Sequence, residues 1–356
     1  MDENQGHEQA GFRKGRSTID HIFSLSQLVE KSKEYNFPLF ILLIDFKKAF
    51  DSIHRDRLWI ALDNQGVSAK YVRILRKLYE KAEGRVKLDN TGPKLKIKKG
   101  VKQGDPLSPN LFNSLLEDIF RRLEWENKGI TVDGRKLSNL RFADDVALIS
   151  PNIEEIQEMA RELKINSEEA GLLINAKKTI LLTNSESSTG MHLDNEWIEA
   201  KQEAIYLGQN ISFREGVASE LKRRKKKAWG NFWQLKKIYK GKFPIQLKKK
   251  VFESNTLPVL TYGAQTWALT EGQLLGLART QIAMERSVLG IKRDDRIKNS
   301  AIRAKTGFKD CRYLVKRLKF GYAGHLVRRE EGRWEKQILD WTPRNWRRRT
   351  GRPRRR

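Results

Sequence analysis

The sequence predicts an α/β domain followed by a basic helical region, on three observations. An apolar run from Phe37 to Ile44, broken only by Pro38, stops at Asp45; a short continuous run of this kind suits a central strand covered on both faces. Helically spaced apolar residues alternate with further short runs until about Leu182, the pattern of helices laid over a sheet. From Leu221 to Phe252 there are thirteen Lys or Arg and no acid, with Trp229, Phe232, Trp233 and Tyr239 interleaved. That segment reads as helical, with an aromatic face that packs on protein and a cationic face that tracks a phosphate backbone.

The elements follow in order. After the central strand, Leu58, Trp59 and Leu62 mark a helix ended by Gly66, and Ser68 caps a second one carrying Val72, Leu75, Leu78 and Tyr79. From Arg85 to Lys99 the pattern alternates, with Leu95 and Ile97 between lysines and Asp89-Asn-Thr-Gly92 as the turn, which reads as a hairpin with one basic face. Ser108-Pro109 starts a helix with Leu111, Leu115, Ile119 and Leu123 on one face, because serine caps free amides and proline at the first helical position loses no hydrogen bond. A strand-turn-strand unit around Asp144-Asp145 comes next, then a helix with Ile153, Ile156, Ala160 and Leu163 inward and Gly171 near its end. The polar, Ser-rich stretch from Asn184 to Asn195 is expected as a loop, and the Arg-dense tail from Trp341 to Arg356 as disordered without nucleic acid.

Lys and Arg number 71 against 44 Asp and Glu, a net charge of +27, which favours a polyanionic partner, nucleic acid first. The 38% hydrophobic content is enough for a real core. No apolar run approaches the roughly 20 residues of a spanning helix and no signal-peptide pattern is present, so a soluble intracellular protein of nucleus or cytoplasm, without a membrane partner, is expected. Cys311 is the only cysteine, which excludes internal disulfides and Cys-rich zinc knuckles and leaves oxygen as the main metal ligand.

Chemistry concentrates in three aspartates at the ends of apolar runs: Asp45, and the pair Asp144-Asp145 between Leu140-Arg-Phe-Ala and Val146-Ala-Leu-Ile. Carboxylates beside buried strands repel one another and resist ionising unless a cation of high charge sits among the oxygens. That is the need of a two-metal phosphoryl-transfer site. Asp294-Asp295 supplies the contrast: it lies among Lys292, Arg293, Arg296 and Lys298 with no flanking apolar strand, and reads as a solvated surface. There is no Gly-rich P-loop or Rossmann fingerprint, so triphosphate chemistry would rest on metals and basic side chains.

Six blocks in order, Gln9-Ala-Gly-Phe-Arg-Lys-Gly-Arg-Ser-Thr18, Asp45-Phe-Lys-Lys-Ala-Phe-Asp51, Gln103-Gly-Asp-Pro-Leu-Ser-Pro109, Phe142-Ala-Asp-Asp145, Gly171-Leu-Leu-Ile-Asn-Ala-Lys-Lys-Thr179 and Tyr206-Leu-Gly208, resemble the successive blocks of a reverse transcriptase from a non-LTR retrotransposon. Pro258-Val-Leu-Thr-Tyr-Gly-Ala-Gln-Thr-Trp267, Gly324-His325 and Gly351-Arg-Pro353 look like the segments that follow the polymerase in RTE-like elements. The resemblance implies a right-hand polymerase: partial fingers over 1–36, palm with remaining fingers elements over 37–212, a basic helical thumb over 213–262, a C-terminal helical region over 263–330 and a basic tail over 331–356. Full-length relatives carry an N-terminal endonuclease; with eleven residues before Phe12, a truncated form lacking that domain and the earliest fingers is expected.

By that match Asp45, Asp144 and Asp145 are the metal-binding triad for two Mg²⁺ ions, with Mn²⁺ as the alternative ion, and the carbonyl of Phe46 adds a ligand. Phe50 stands where the family places an aromatic steric gate against a nucleotide 2′-hydroxyl; an ordinary core phenylalanine is the other reading. Gln103 and Gly104 match the block that contacts the incoming nucleotide and template. Arg13 and Arg16 lie where a cation could hold the triphosphate, or are exposed charges. Lys178 matches the lysine associated with proton donation to pyrophosphate, with Lys177 as its neighbouring rival, and Tyr206, Leu207 and Gly208 resemble the primer grip. The implied partners are an RNA template, a DNA primer or target DNA, and deoxyribonucleoside triphosphates; oligomeric state is open. Rival readings are an inactive relic that only binds nucleic acid, an intron maturase, and an RNA-dependent RNA polymerase.

Overall fold

The apolar run before Asp45 forms β1 (Phe40–Ile44), every residue of it buried, in a computed structural model that describes residues 4–351 apart from 88, 90, 187, 188, 330, 331 and 349. The chain forms two compact units, residues 4–202 with 332–348, and residues 203–329 with 350 and 351.

In the first unit β2 (Glu83–Gly84) pairs with β3 (Leu95–Lys96), and β4 (Ile130–Val132) with β5 (Arg135–Leu137), as two small ribbons. The main sheet adds β6 (Asn139–Phe142), β7 (Asp145–Ser150), β8 (Ile180–Thr183), β9 (Gly190–Leu193) and β10 (Glu196–Lys201), in the order β6-β7-β1-β8-β10-β9. β1 lies between antiparallel β7 and β8, which is why its sequence is apolar without alternation. Phe40, Leu42 and Ile44 share one core with the helices Arg55–Asn64, Ser108–Arg121 and Ile153–Glu169. Ile41 and Leu43 point to the opposite face, and the Thr18–Tyr35 helix touches the sheet at β6.

Several expectations are corrected here. The Asn184–Asn195 stretch contains β9, because Met191 and Leu193 alternate inward and pair with β10. The Arg85–Lys99 hairpin reduces to two residues per strand with Leu95 and Ile97 exposed; Asn90 of its expected turn lies outside the described residues. Ser108 does not cap its helix: it is the first helical residue, and its hydroxyl donates to the Lys102 carbonyl. The tail is folded as far as the described residues follow it. Trp334–Asp340 is a helix with Trp334 buried, and the Trp334 indole donates to Glu8 Oε1 at 2.9 Å. Trp341 and Trp346 then pack on Phe37, with ring centroids at 6.0 and 5.6 Å, so tryptophans anchor a segment dense in arginine. Arg352–Arg356 lie outside the described residues.

The second unit opens with the hairpin β11 (Glu203–Tyr206) and β12 (Gln209–Ser212), which places the boundary at Gln202/Glu203 and not at residue 212. Its helices include Val217–Gln234, Ile245–Val251, Glu271–Leu289, Asn299–Thr306 and Cys311–Arg328. One core runs from Leu221 to Val315, so the segments expected as separate thumb and C-terminal regions are a single body. Aromatic stacking explains the rings between the cations: Phe232 lies on Tyr239 with centroids 4.5 Å apart, and Phe252 on Phe308 at 4.7 Å. Cys311 is part of this core, and burial pushes its thiol up to about 12. Only the thiolate attacks an alkylating reagent. The native protein should therefore resist iodoacetamide at pH 8 and consume one equivalent on unfolding; rapid native labelling would show that this core opens readily. Among the described residues no helix is long and apolar enough to cross a membrane.

Candidate active site

β1 and β7 run antiparallel with Ile44 opposite Val146. Continuing that register by one step sets Asp45 opposite Asp145, where paired residues have Cα atoms about 4.5–5.5 Å apart. Phe142 pairs with Asp145 across the β6-β7 hairpin, so Ala143 and Asp144 form its two-residue turn. Two neighbouring strands and one tight turn thus bring together residues a hundred positions apart in sequence.

The cluster is electrostatically strained. Burial raises the Asp144 carboxyl, with Asp45 adding to the shift. Burial, then Asp144, then Asp45 raise Asp145 to about 6. Asp145 is exposed by surface area, so water relieves part of the burial effect, and repulsion from the two neighbouring carboxylates is the cause that rests on geometry. Hard oxygen donors with excess negative charge fit Mg²⁺ or Mn²⁺. Among the described residues no group of three or more His, Cys, Asp or Glu side chains, the three aspartates included, is gathered closely enough to hold a metal ion by itself. Magnesium in nucleotide enzymes takes one or two carboxylates and completes its shell with water and phosphate, so this donor set fits an ion shared with a substrate.

Asp45 is held from the Gly171–Thr179 block. Asn175 Nδ2 donates to Asp45 Oδ2 at 3.2 Å, and the Asn175 amide donates to the Asp45 carbonyl at 2.7 Å. Lys178 Nζ stands 3.9 Å from the same Oδ2 and is solvent-exposed, within reach of a bound phosphate. Behind it, the Lys47 amide donates to Leu173 and the His54 amide to Ala170, so this block clasps the loop after β1. A Cβ on Gly171 would lie 2.5 Å from the Ser52 carbonyl oxygen, which requires glycine for that approach.

The other expected residues divide. Phe50 stacks on Phe112 with centroids 4.5 Å apart and stays half-buried against the core. Phe46 is buried and bridges to Ile174. Gln103 donates to Asp51 Oδ1 at 3.0 Å, joining its block to the one that begins with Asp45. Gly104 has φ +87 with open space around it; the turn needs the left-handed conformation. Arg13 Nη1 donates to the carbonyls of Gln5, Gly6 and Gln9, which fastens the N-terminal loop. Arg16 donates to the His7 carbonyl, and burial, Arg13 and Arg333 draw its guanidinium down to about 10. In the second unit Leu207 and Gly208, with φ +43 and +76, form the two-residue turn between β11 and β12, the geometry of a tight hairpin. The Leu207 carbonyl accepts from the Tyr262 hydroxyl at 2.8 Å, and the Gly208 carbonyl accepts from Arg223 and Arg224. Tyr206 is buried beneath them.

The family description "Reverse transcriptase (RNA-dependent DNA polymerase)" matches residues 1–211. The chain belongs to this reverse transcriptase family. It is similar to an uncharacterised transposon-derived protein of Caenorhabditis elegans, at 34% identity over 62% of this chain and 82% of that protein. It is also similar to the "Probable RNA-directed DNA polymerase from transposon BS" of Drosophila melanogaster, at 27% identity over 86% of this chain and 33% of that one. The type-1 retrotransposable element R2 polyprotein of Nasonia vitripennis matches at 30% identity over 48% of this chain and 17% of its own length. The chain thus spans a third or less of those two longer relatives. Among solved structures, telomerase from Candida tropicalis is similar over 94% of this chain and 53% of that one, at 15% identity and a TM-score of 0.45; the family assignment does not depend on it.

Among the residues given no role by the sequence are two of the first unit. Asn175 lies in a quoted block but has no assigned role there; its position three residues before Lys178 was the available signal. His21, buried in the Thr18–Tyr35 helix, is the other. Burial brings its imidazole down to about 3, Arg16 and Arg141 adding to the effect and Asp20 opposing it. Because the unfolded chain binds a proton there below about 6.5 and the folded one does not, stability from this group is present above that pH and lost as pH falls toward 3, by up to roughly 1.4 kcal/mol per pH unit. Urea denaturation at pH 7 and pH 5 should give a shallower pH slope for His21→Leu than for the natural chain; equal slopes would contradict this.

Proposed function

We propose that this chain is an RNA-directed DNA polymerase that extends a primer on an RNA template with deoxyribonucleoside triphosphates. The observation that carries the reading is the β1-β7 register, which sets Asp45 opposite Asp145 beside Asp144. In this reading the first unit carries the palm, and Asp45, Asp144 and Asp145 would hold two divalent ions, Mg²⁺ or Mn²⁺. When bound, such ions neutralise charge on the phosphoryl oxygens and activate the attacking 3′-hydroxyl.

The chain's own residues do the rest. Asn175 fixes the Asp45 carboxylate, so that one oxygen keeps its orientation before substrate arrives. Lys178, exposed beside Asp45, would hold its proton ready for the departing pyrophosphate. Phe50, backed by Phe112, presents a ring that a ribose 2′-hydroxyl would meet and a deoxyribose would not. The Leu207-Gly208 turn, tied down by Tyr262, Arg223 and Arg224, would guide the primer. The cationic Lys222–Lys250 surface supplies sequence-independent affinity for the phosphate backbone, which weakens with salt.

Primer extension on an RNA template with Mg²⁺ and deoxyribonucleotides tests the reading. Metal-dependent extension is expected. Salt-sensitive binding without extension under Mg²⁺ or Mn²⁺ would replace it with a nucleic-acid-binding relic.

A further inference from the structure

Outside the aspartates, the unusual feature of the candidate site is the conformation of the residue before them. Ala143 has φ +54, in the left-handed region that a residue with a Cβ disfavours. A left-handed alanine persists only where its surroundings over-determine it, and here the surroundings come from the N-terminus.

Residues 8–11 lie along β6. The Arg141 amide donates to the Glu8 carbonyl and the Ala10 amide to the Arg141 carbonyl, both at 2.9 Å. Gln9, with no exposed surface, turns its side chain into the hairpin turn. Its Oε1 accepts from the Ala143 amide at 3.0 Å and from the Gly11 amide at 2.7 Å. Both neighbours are donors, so the amide orientation is fixed by chemistry. Gly11 completes the contact: a Cβ there would stand 2.3 Å from the Ala143 nitrogen, and the Gly11 carbonyl is held in turn by Asn113 Nδ2 at 2.7 Å. One glutamine oxygen therefore bridges the N-terminal strand and the turn that presents Asp144 and Asp145.

We propose that Gln9 is a positioning residue for the polymerase reaction, its side-chain oxygen locking the left-handed Ala143 turn so that Asp144 and Asp145 face Asp45. The inference rests on the reading of those aspartates as the metal-binding set. Gln9 touches no reacting atom. Its effect belongs on metal affinity and turnover, not on nucleic-acid binding.

Gln9→Asn tests this in the full chain. It keeps an amide at the position and withdraws its oxygen by about one bond, roughly 1.5 Å, more than a 3.0 Å hydrogen bond tolerates. Three readouts are compared with the natural chain: hydrogen exchange of the segment spanning Phe142 to Val146, Mn²⁺ affinity by electron paramagnetic resonance without nucleotide, and single-turnover extension. Expected are faster exchange at the turn and Mn²⁺ affinity and incorporation rate each lower by about 10- to 100-fold, as for groups that orient metal ligands, with KM for template-primer within about twofold. Adding Ala143→Gly, which adopts the left-handed conformation freely, should recover part of the lost Mn²⁺ affinity. Unchanged exchange and Mn²⁺ affinity would overturn the proposal, as would a loss that follows the folded fraction on melting. If the natural chain binds Mn²⁺ without extending a primer, the polymerase reading fails while the Mn²⁺ and exchange readouts still decide the role of Gln9. If it binds no Mn²⁺, both fall.

Discussion

Replacing Asp145 by asparagine should abolish primer extension, lowering the incorporation rate by at least about a thousandfold, while template-primer affinity changes by less than about threefold. Removing a single pre-organised electrostatic contact at a reacting centre already costs about 10²–10³. Here the substitution also removes one of three neighbouring carboxylates; burial first and the adjacent carboxylates second raise the Asp144 and Asp145 acids, an environment that favours a divalent ion. Nucleic-acid affinity is drawn from elsewhere, chiefly the 71 Lys and Arg residues, whose contacts to phosphate do not involve the aspartates. Single-turnover incorporation and filter binding measured on the same preparations check both halves. An Asp145→Asn variant within tenfold of the natural rate, or one that loses binding in step with activity, would remove the aspartates from the centre of the mechanism.

Replacing Glu117 by alanine should destabilise the first unit by about 3–5 kcal/mol, the usual cost of breaking a buried ion pair on one side. Arg141 of β6 is almost wholly buried and its Nη1 lies 3.1 Å from Glu117 Oε2, with side-chain exposures of 4% and 6%. Glu117 also accepts the Gly6 amide at 3.2 Å, and the Arg141 guanidinium lies 4.4 Å from the centre of the Phe120 ring. Truncation leaves the buried Arg141 cation with only its longer contact to Glu8, Nη2 to Oε2 at 3.7 Å, and unpairs the half-buried Gly6 amide, close to the strand that leads into Ala143. Urea denaturation followed by circular dichroism measures the loss. The paired replacement Glu117→Leu with Arg141→Met should recover most of it, because a matched apolar pair leaves no buried charge. A Glu117→Ala variant within about 1 kcal/mol of the natural chain would mean that water reaches this pair.

The sequence by itself determined the α/β class, the central strand, the basic helical region and the placing of three aspartates at the ends of apolar runs. Each of these is written in local patterns: continuous apolar residues where a strand has two neighbours, helical spacing where one face is covered, and acids where an apolar strand ends. The tertiary structure decided what depends on partners distant in the chain. The Phe232-Tyr239 and Phe252-Phe308 stacks merge two expected regions into one body, and the β11-β12 hairpin joins it because Arg223, Arg224 and Tyr262 hold its turn. Three tryptophans fold a tail whose charge suggests disorder, since Trp334, Trp341 and Trp346 find Glu8 and Phe37 some three hundred residues earlier. Arg13 reads from the sequence as a cation for phosphate or an exposed charge, and the structure shows its Nη1 donating to three backbone carbonyls. Asn175 and Gln9 lie in quoted blocks with no role of their own, yet one donates to Asp45 and the other accepts from the Ala143 amide. A hydrogen bond to a residue 130 positions away has no local signature, because its energy depends on where the backbone brings the two groups, and only the folded chain fixes that.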